Sequence, residues 1–363
     1  MDPFTWRSES GEPAPSRLSP VDDRLTADAA LKRVRRGEHL LYTGDFHNAK
    51  QLLGAMGRRL PEPRGARSPL EAFRAERRAR QLEHETLSRI VVALDRSYRL
   101  ELKRAPDVAE ACRQVWGEPD ADKTVVSLKT LLGMLGAAEW RRKGLEVPGL
   151  QGKLHPHYGV YLPTRTDYVE LLLSVTDVRG KKVFDVGTGT GVVSFLLLQR
   201  GAASVTATDI DSRAVACARE NAERLGLSKR FEVMEGDLYP PGKADLIVSN
   251  PPWIPEPPKN RVDRAVFDED NRFLSGFLEG LAGHLNPGGE GLLVLSDLAV
   301  LLGLRDAGWL DQELARCGLA VKWKQSAPAR HSKAKDKSDP LHAARSREVT
   351  TLYGLVPVSK ATS

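Results

Sequence analysis

The feature that most constrains the fold is a glycine-rich turn between an apolar segment and a helical segment. Residues 182–186 (KVFDV) have the composition of a buried strand, residues 187–191 are GTGTG, and residues 192–200 (VVSFLLLQR) favour a helix. In α/β folds a ligand binds at such a turn, beside the helix N-terminus. The dinucleotide fingerprint needs a third glycine where Val192 stands, and no Gly-Lys-Ser/Thr phosphate loop follows, so both of those classes are disfavoured.

The C-terminal part of the chain, residues 151–363, alternates short β-branched runs with helical stretches, which is typical of an α/β sheet covered by helices. We predict a Rossmann-like domain over this range. Its seven expected strands are Lys182–Val186, Ser204–Thr208, Arg230–Met234, Ala244–Ser249, Glu290–Leu295, Ala320–Lys324 and Val349–Val356.

The N-terminal part differs in pattern. Residues 1–25 are polar, contain prolines at positions 3, 13, 15 and 20, and predict a flexible arm. Residues 26–150 place apolar side chains at helical spacing between prolines and predict a helical domain that recognises the substrate. Within it, Asp45 precedes an apolar helical stripe and is expected to cap a helix N-terminus.

Two carboxylates follow the next predicted strands and indicate the kind of ligand. Asp209 ends the second strand about twenty residues after the glycines, the position from which a carboxylate holds ribose hydroxyls. Asp237 follows the third strand at the same edge of the sheet, where a carboxylate can accept a hydrogen bond from an adenine amino group. A nucleoside-containing ligand is therefore expected.

The fourth strand ends in SNPPWIP, residues 249–255, in which two prolines stand between an amide and an indole. Consecutive prolines make a rigid turn, and a rigid turn positions its neighbouring groups. The turn is therefore expected to fix the positions of Asn250 and Trp253 at the end of the strand.

The order DVGTGTG, TDID, GD and NPPW resembles the class I S-adenosylmethionine-dependent methyltransferases over residues 155–356. Within that superfamily NPPW resembles the motif of enzymes that methylate planar nitrogens, whose delocalised lone pairs need orientation more than deprotonation. NPPWIP is similar to the NPPYIP of the HemK-like glutamine methyltransferases of release factors, with Trp253 in place of tyrosine. The resemblance implies a seven-stranded sheet whose last strand is antiparallel, an N-terminal helical domain and S-adenosylmethionine as cofactor.

The resemblance also implies site residues. Asn250 and the Pro251 carbonyl would accept the two N–H groups of the methyl acceptor, while Trp253 would stack on it. The catalytic residues implied are Asn250, Pro251, Pro252 and Trp253. The cofactor-binding residues implied are Asp185, Gly187, Thr188, Gly189, Gly191, Asp209, Ile210, Asp237 and Asn250.

A macromolecular acceptor is expected, and a protein side-chain amide is favoured on the strength of NPPWIP. An RNA or DNA base amine is the alternative, because the net charge of +6 is concentrated in basic windows at 51–100 and 321–363. The long basic hairpin 327–348 is expected near the acceptor, where its cations either bind phosphates or are simply solvated. A small-molecule acceptor and a non-catalytic binding module remain open as further alternatives.

Other classes are disfavoured by what the sequence lacks. No apolar run reaches the eighteen or so residues of a membrane span, and residues 1–30 have no secretory-signal pattern, so a cytoplasmic protein is expected. His155 and His157 have no further ligands at metal spacing, and the three cysteines form no metal or disulfide pattern. No metal is therefore expected.

Overall fold

The computed structural model describes residues 4–63, 65–163, 165–174, 177–259 and 262–358. The chain forms two compact units, Met1–Trp140 and Arg141–Ser363. The second unit begins before residue 150, the domain boundary predicted from the sequence, because Arg141 binds residues of the second unit. Its carbonyl oxygen lies 2.6 Å from His155 Nδ1, and its guanidinium pairs with Glu220.

The N-terminal unit is mixed α/β. Its helices are α1 (Ala27–Val34), α2 (Phe46–Gly57), α3 (Pro69–Leu87), α4 (Ala109–Trp116) and α5 (Leu128–Lys143), the last of which ends just past the unit boundary. Its strands are β1 (Thr5–Arg7), β2 (Leu18–Val21), β3 (His39–Tyr42), β4 (Ile90–Asp95) and β5 (Lys123–Ser127), in the sheet order β1-β5-β4-β3-β2.

Two expectations for this unit need correction. The predicted helices are present, but the domain predicted to be helical over 26–150 also contains a sheet. Residues 1–25, predicted to be a flexible arm, contribute β1, parallel to β5, and β2, parallel to β3. The backbone hydrogen bonds of these strands come from partners far away in sequence, which a local pattern does not reveal. The predicted cap is confirmed, because the Asp45 carboxylate accepts from the backbone N–H groups of His47 and Asn48.

The C-terminal unit begins with a small hairpin of β6 (Leu145–Glu146) and β7 (Lys153–Leu154). Its main strands are β8 (Lys182–Val186), β9 (Ser204–Asp209), β10 (Phe231–Glu235), β11 (Ala244–Ser249), β12 (Leu285–Ser296), β13 (Leu319–Pro328) and β14 (Val349–Pro357). Its helices are α6 (Asp167–Ser174), α7 (Val192–Gln199), α8 (Ser212–Arg224), α9 (Arg272–His284), α10 (Leu298–Leu301), α11 (Trp309–Arg316), α12 (Ser332–Lys335) and α13 (His342–Arg345).

The main sheet confirms the predicted Rossmann-like fold. Its seven strands run in the order β10-β9-β8-β11-β12-β14-β13, and β14 is antiparallel to both of its neighbours. The chain moves outward from β8 to β9 and β10, then returns to place β11 on the other side of β8. A crevice opens at the carboxyl ends of strands where the order reverses in this way, and ligands bind there.

Alternating side chains build an apolar core on each face of this sheet. Along β8, Val183 packs into one core with α6, α7 and α8, whereas Phe184 and Val186 pack into the other with α9 and α11. Helix α7 is almost completely buried, as its uniformly apolar sequence predicts. The ends of β8, β9 and β11 are thus held on a rigid base.

Candidate functional site

The glycine turn after β8 has the backbone conformation that its sequence requires. Gly187, Gly189 and Gly191 have φ angles of 77°, 57° and 86°, in the left-handed region that favours glycine. A Cβ atom on Gly191 would clash with the Phe195 ring, whereas one on Gly189 would meet nothing within 4 Å. Gly191 is therefore needed for packing, and Gly189 leaves open space beside the turn.

Asp185 lies beneath this turn and is fully buried. Its Oδ2 accepts hydrogen bonds from Thr188 Oγ1 at 2.8 Å and Ser194 Oγ at 2.6 Å. Burial raises the pKa of Asp185 to about 6, although both hydroxyls oppose the shift. The side chain thus ties the strand end to the turn and to α7.

Asp209, at the end of β9, fixes the same turn from the other side. Its Oδ2 accepts from the backbone N–H of Gly189 at 2.9 Å, and its Oδ1 accepts from that of Asp211 at 2.9 Å. Burial raises the pKa of the Asp209 carboxyl, and these backbone bonds oppose the rise. An ionised carboxylate has about four acceptor positions, so these backbone bonds leave acceptor capacity for a ligand.

The NPPW turn begins where β11 ends. Ser249 Oγ donates to the Val186 carbonyl at 2.8 Å and joins the ends of β11 and β8. The next residue, Asn250, has a buried side-chain oxygen without a hydrogen-bond partner. Unpartnered buried acceptors are rare in folded proteins, since each forgoes a hydrogen bond to water, and they call for a functional explanation.

The backbone of the NPPW turn is held from two directions. The N–H groups of Trp253 and Ile254 both donate to the Val266 carbonyl at 3.1 Å. On the other side, Arg305 Nη2 donates to the Trp253 carbonyl at 3.2 Å. Burial lowers the pKa of Arg305 to about 10, so this arginine stays charged at neutral pH. The turn is therefore rigid, as its two prolines predict.

One face of the Trp253 indole is covered by Arg165, whose guanidinium carbon lies 4.6 Å from the ring centroid. Arg165 pairs with two fully buried carboxylates, Asp167 at 2.6 Å and Glu348 at 2.7 Å. Burial opposes ionisation of Glu348, yet His331, Arg165 and Ser296 outweigh it and hold the pKa of Glu348 at about 2. Both carboxylates therefore remain charged partners of Arg165 at neutral pH.

The glycine turn, the end of β9 and the NPPW turn line one cavity of about 280 Å³ at the carboxyl edge of the sheet. It brings together the following predicted site residues: Gly187, Thr188, Gly189, Asp209, Ile210, Asp237, Asn250, Pro251, Pro252 and Trp253. Two predicted residues, Asp185 and Gly191, do not line it and support the turn from within the protein. Asp237 lines the cavity while paired with Arg272.

The cavity is also lined by residues that the sequence did not identify as site residues, among them Tyr161, Arg165 and Phe273. Phe273 approaches the glycine turn, since a Cβ atom on Gly187 would lie 3.0 Å from its ring. Tyr161 and Arg165 lie in the segment YLPTRTDY. The only local indication of their role is that Arg165 stands two residues before the acidic Asp167, with which it can pair. The partner Glu348 lies 183 residues away, beyond the reach of any local pattern.

The cavity combines groups suited to a nucleoside at one end and a planar polar group at the other. Asp209 offers acceptor positions near the glycine turn, and Ile210 and Phe273 offer apolar contact. Asn250 and Trp253 offer an unpartnered acceptor and an aromatic ring. In the described part of the chain, no cluster of three or more His, Cys, Asp or Glu side chains is arranged to hold a metal ion. Over the same residues, no helix has both the length and the apolarity needed to cross a membrane.

Comparison with known proteins gives consistent matches to this half of the chain. Residues 151–301 match the family described as methyltransferase small domain. A Methanocaldococcus jannaschii protein with the provisional name protein N5-glutamine methyltransferase is 35% identical over 162 residues, which cover 42% of this chain and 80% of that protein.

Two further relatives differ in the acceptor that their names specify. A release factor glutamine methyltransferase of Moorella thermoacetica is 36% identical over 154 residues, covering 40% of this chain and 54% of the relative. A tRNA1(Val) (adenine(37)-N6)-methyltransferase of Parabacteroides distasonis is 42% identical over 94 residues, covering 24% and 40%. The chain thus spans about half or less of the length of these two relatives.

Proposed function

Since the chain belongs to the methyltransferase small domain family, we propose that it catalyses, in this cavity, the transfer of a methyl group to the side-chain amide nitrogen of a protein substrate. The enzyme is an S-adenosylmethionine-dependent methyltransferase. The observation that carries the assignment of a planar nitrogen as methyl acceptor is the buried Asn250 oxygen, which has no partner within the protein. On this proposal the enzyme acts in the cytoplasm, where its acceptors are made.

The residues at the glycine end of the cavity fit the cofactor. The remaining acceptor capacity of Asp209 suits ribose hydroxyls, and Gly189 allows close approach because no side chain fills the space beside it. Ile210 and Phe273 suit the faces of an adenine ring, and Asp237 suits its amino group. When bound, S-adenosylmethionine supplies an electrophilic methyl group on a positively charged sulfur.

The residues at the NPPW end fit a planar nitrogen that carries two hydrogens. We assign the Asn250 oxygen and the Pro251 carbonyl as acceptors of those two N–H groups, which turns the nitrogen lone pair toward the cofactor. Trp253 offers an aromatic face for the plane of the acceptor, and Arg165 and Arg305 hold that residue in place. The proton lost after transfer leaves from a nitrogen made acidic by its new bond, so a strong base is not required.

Two kinds of acceptor present this planar N–H₂ group, and the relatives include both. A protein amide is favoured because the relatives that match more of this chain are named for glutamine. A nucleic-acid base amine is the second candidate, because a tRNA adenine-N6 relative matches a 94-residue stretch and residues 327–348 are rich in Lys and Arg. The two candidates share the chemistry of the cavity and differ in the macromolecule.

The test is to incubate the purified full chain with methyl-labelled S-adenosylmethionine and an extract of its source cells. Portions of the product are then treated with protease or with nuclease. The proposal predicts that protease removes the macromolecular label and that nuclease does not. Label removed by nuclease alone would overturn the protein acceptor in favour of a base, and label on neither would overturn both. Asn250→Ala is the parallel negative control.

A further inference from the structure

Arg165 lines the cavity and is held there by four hydrogen bonds. Its Nε and Nη2 donate to the two oxygens of Asp167 at 3.1 and 2.6 Å, Nη1 donates to Glu348 at 2.7 Å, and Nη2 also reaches Thr350 Oγ1 at 3.1 Å. These four hydrogen bonds fix the orientation of the guanidinium. Both carboxylates are completely buried, so water does not compete for these bonds.

The fixed guanidinium plane lies against the Trp253 indole and against the cavity. An arginine face attracts an aromatic ring, and tryptophan interacts most strongly of the aromatic residues. The indole N–H is itself buried and has no hydrogen-bond partner, so no bond from its own edge fixes the ring. The Arg165 face and the apolar core side chains packed against Trp253 therefore determine the orientation of its ring.

We propose that Arg165 is a positioning residue for methyl transfer, which acts by holding the Trp253 ring in the plane that receives the acceptor. This inference rests on the proposed function only in assigning Trp253 to the acceptor end of the cavity. Asp167, Glu348 and Thr350 form the frame that holds Arg165, and residues from both ends of the C-terminal unit thereby determine the shape of the acceptor wall.

The chemistry of this frame requires arginine. Lysine would preserve the positive charge between the two carboxylates, but an ammonium is a point donor without a planar face. It can neither bind Asp167 in a bidentate manner nor stack flat on the indole. Arg165→Lys therefore separates the electrostatic need for a cation from the geometric need for a plane.

The experiment is a double-mutant cycle with Arg165→Lys, Trp253→Phe and the combined variant. The acceptor is whichever macromolecule the wild type labels, so a failure of the amide assignment leaves this test intact. We expect Arg165→Lys to lower kcat/KM for the acceptor by about tenfold, through kcat more than KM, as expected when a cation–π contact is lost in a desolvated site. The dissociation constant for S-adenosylmethionine is expected to stay within about twofold.

In the Trp253→Phe background, Arg165→Lys is expected to cost less than about threefold, because the surface that Arg165 positions has already changed. Multiplicative effects of the two substitutions would overturn the proposal, as would an equal loss of cofactor affinity. Arg316→Lys is the matched control, since Arg316 also bridges two carboxylates, Glu279 and Glu313, but is exposed and away from the cavity. It is expected to leave kcat/KM unchanged.

Should Arg165→Lys fail to fold, Thr350→Val keeps the test decisive. This change removes the Thr350 hydroxyl, which accepts a hydrogen bond from Arg165 and donates one to Asp167, and it leaves both ion pairs of Arg165 in place. We expect it to lower kcat by about threefold in the wild type and to have no effect on kcat in Trp253→Phe. An equal reduction in both backgrounds would overturn the proposal.

Discussion

Replacing Asn250 by alanine is expected to separate activity from stability. The Asn250 oxygen is buried at the cavity and has no hydrogen-bond partner inside the protein. Removing it therefore breaks no bond in the folded chain, and it relieves a buried acceptor that folding leaves unpaired. In the reaction, the same change leaves one N–H of the acceptor without its partner.

The expected magnitude follows from the hydrogen bond alone. A buried polar group left unpaired costs about 1–3 kcal/mol, and about 1.4 kcal/mol corresponds to a factor of ten in rate. Asn250→Ala should therefore lower kcat by about 10- to 100-fold. The Tm should stay the same or rise, by about 2–4 °C for each kcal/mol recovered in a domain of this size.

The assay is initial-rate transfer of labelled methyl together with thermal unfolding of the cofactor-free protein. Asn286→Ala is the matched control, because the Asn286 amide donates to Asp245 at 2.7 Å and does not line the cavity. It should lower Tm and leave kcat unchanged. Normal turnover of Asn250→Ala, or a loss of Tm as large as that of Asn286→Ala, would refute the reasoning.

Other predictions concern the turn and the buried charges. Gly191→Ala should lower the free energy of unfolding by more than about 2 kcal/mol, because the new Cβ meets Phe195 and the residue has a positive φ. Gly189→Ala should lower it by about 1 kcal/mol and weaken cofactor binding. Urea midpoints measure the stability of both variants, and calorimetry measures their cofactor binding. Relative to Asp185→Asn, the wild type should lose about 3 kcal/mol of unfolding free energy as pH rises from about 4 to about 6. The reason is that the raised pKa of Asp185 favours its protonated form in the folded protein. Equal pH profiles of stability would contradict this. Relative to Glu348→Gln, the wild type should instead lose stability as pH falls from about 4 toward about 2, because the pKa of Glu348 is depressed, and an advantage constant down to pH 2 would contradict this.

The catalytic half of the fold was predictable because its signals are local. The run KVFDV gives β8 with the predicted bounds, and the three glycines take the left-handed conformations that their spacing indicates. The site residues Asp209 and Asn250 follow strand ends, and parallel strands bring their carboxyl ends to one edge of the sheet. Position along each strand therefore sufficed to place these residues at one cavity.

The N-terminal sheet was not predictable for a matching reason. Strands β1 and β2 are three and four residues long, and β2 includes Pro20, so neither gives a local strand signal. Their stability comes from pairing with β5 and β3. In β4, the apolar run at Ile90–Leu94 suits a helix as well as a buried strand, and only its pairing with β3 and β5 makes it a strand.

The roles of Asp185 and Arg165 also depended on contacts that spacing does not determine. Asp185 has the position of a ligand contact, but Thr188 and Ser194 enclose its carboxylate beneath the turn. Arg165 gains its place at Trp253 from Glu348, which β14 brings back beside β12. Such contacts between distant segments require the folded structure.

The most direct test of the central claim is to locate the transferred methyl group by mass spectrometry of the labelled acceptor. The protein is incubated with S-adenosylmethionine, and the modified macromolecule is isolated and fragmented. The account predicts one added methyl group on a side-chain amide nitrogen of a protein, formed about 10- to 100-fold more slowly when Asn250→Ala replaces the wild type. A methyl group on a carbon, a sulfur or a lysine amine would contradict the role assigned to Asn250, because none of these presents the planar N–H₂ group that the NPPW turn is proposed to orient.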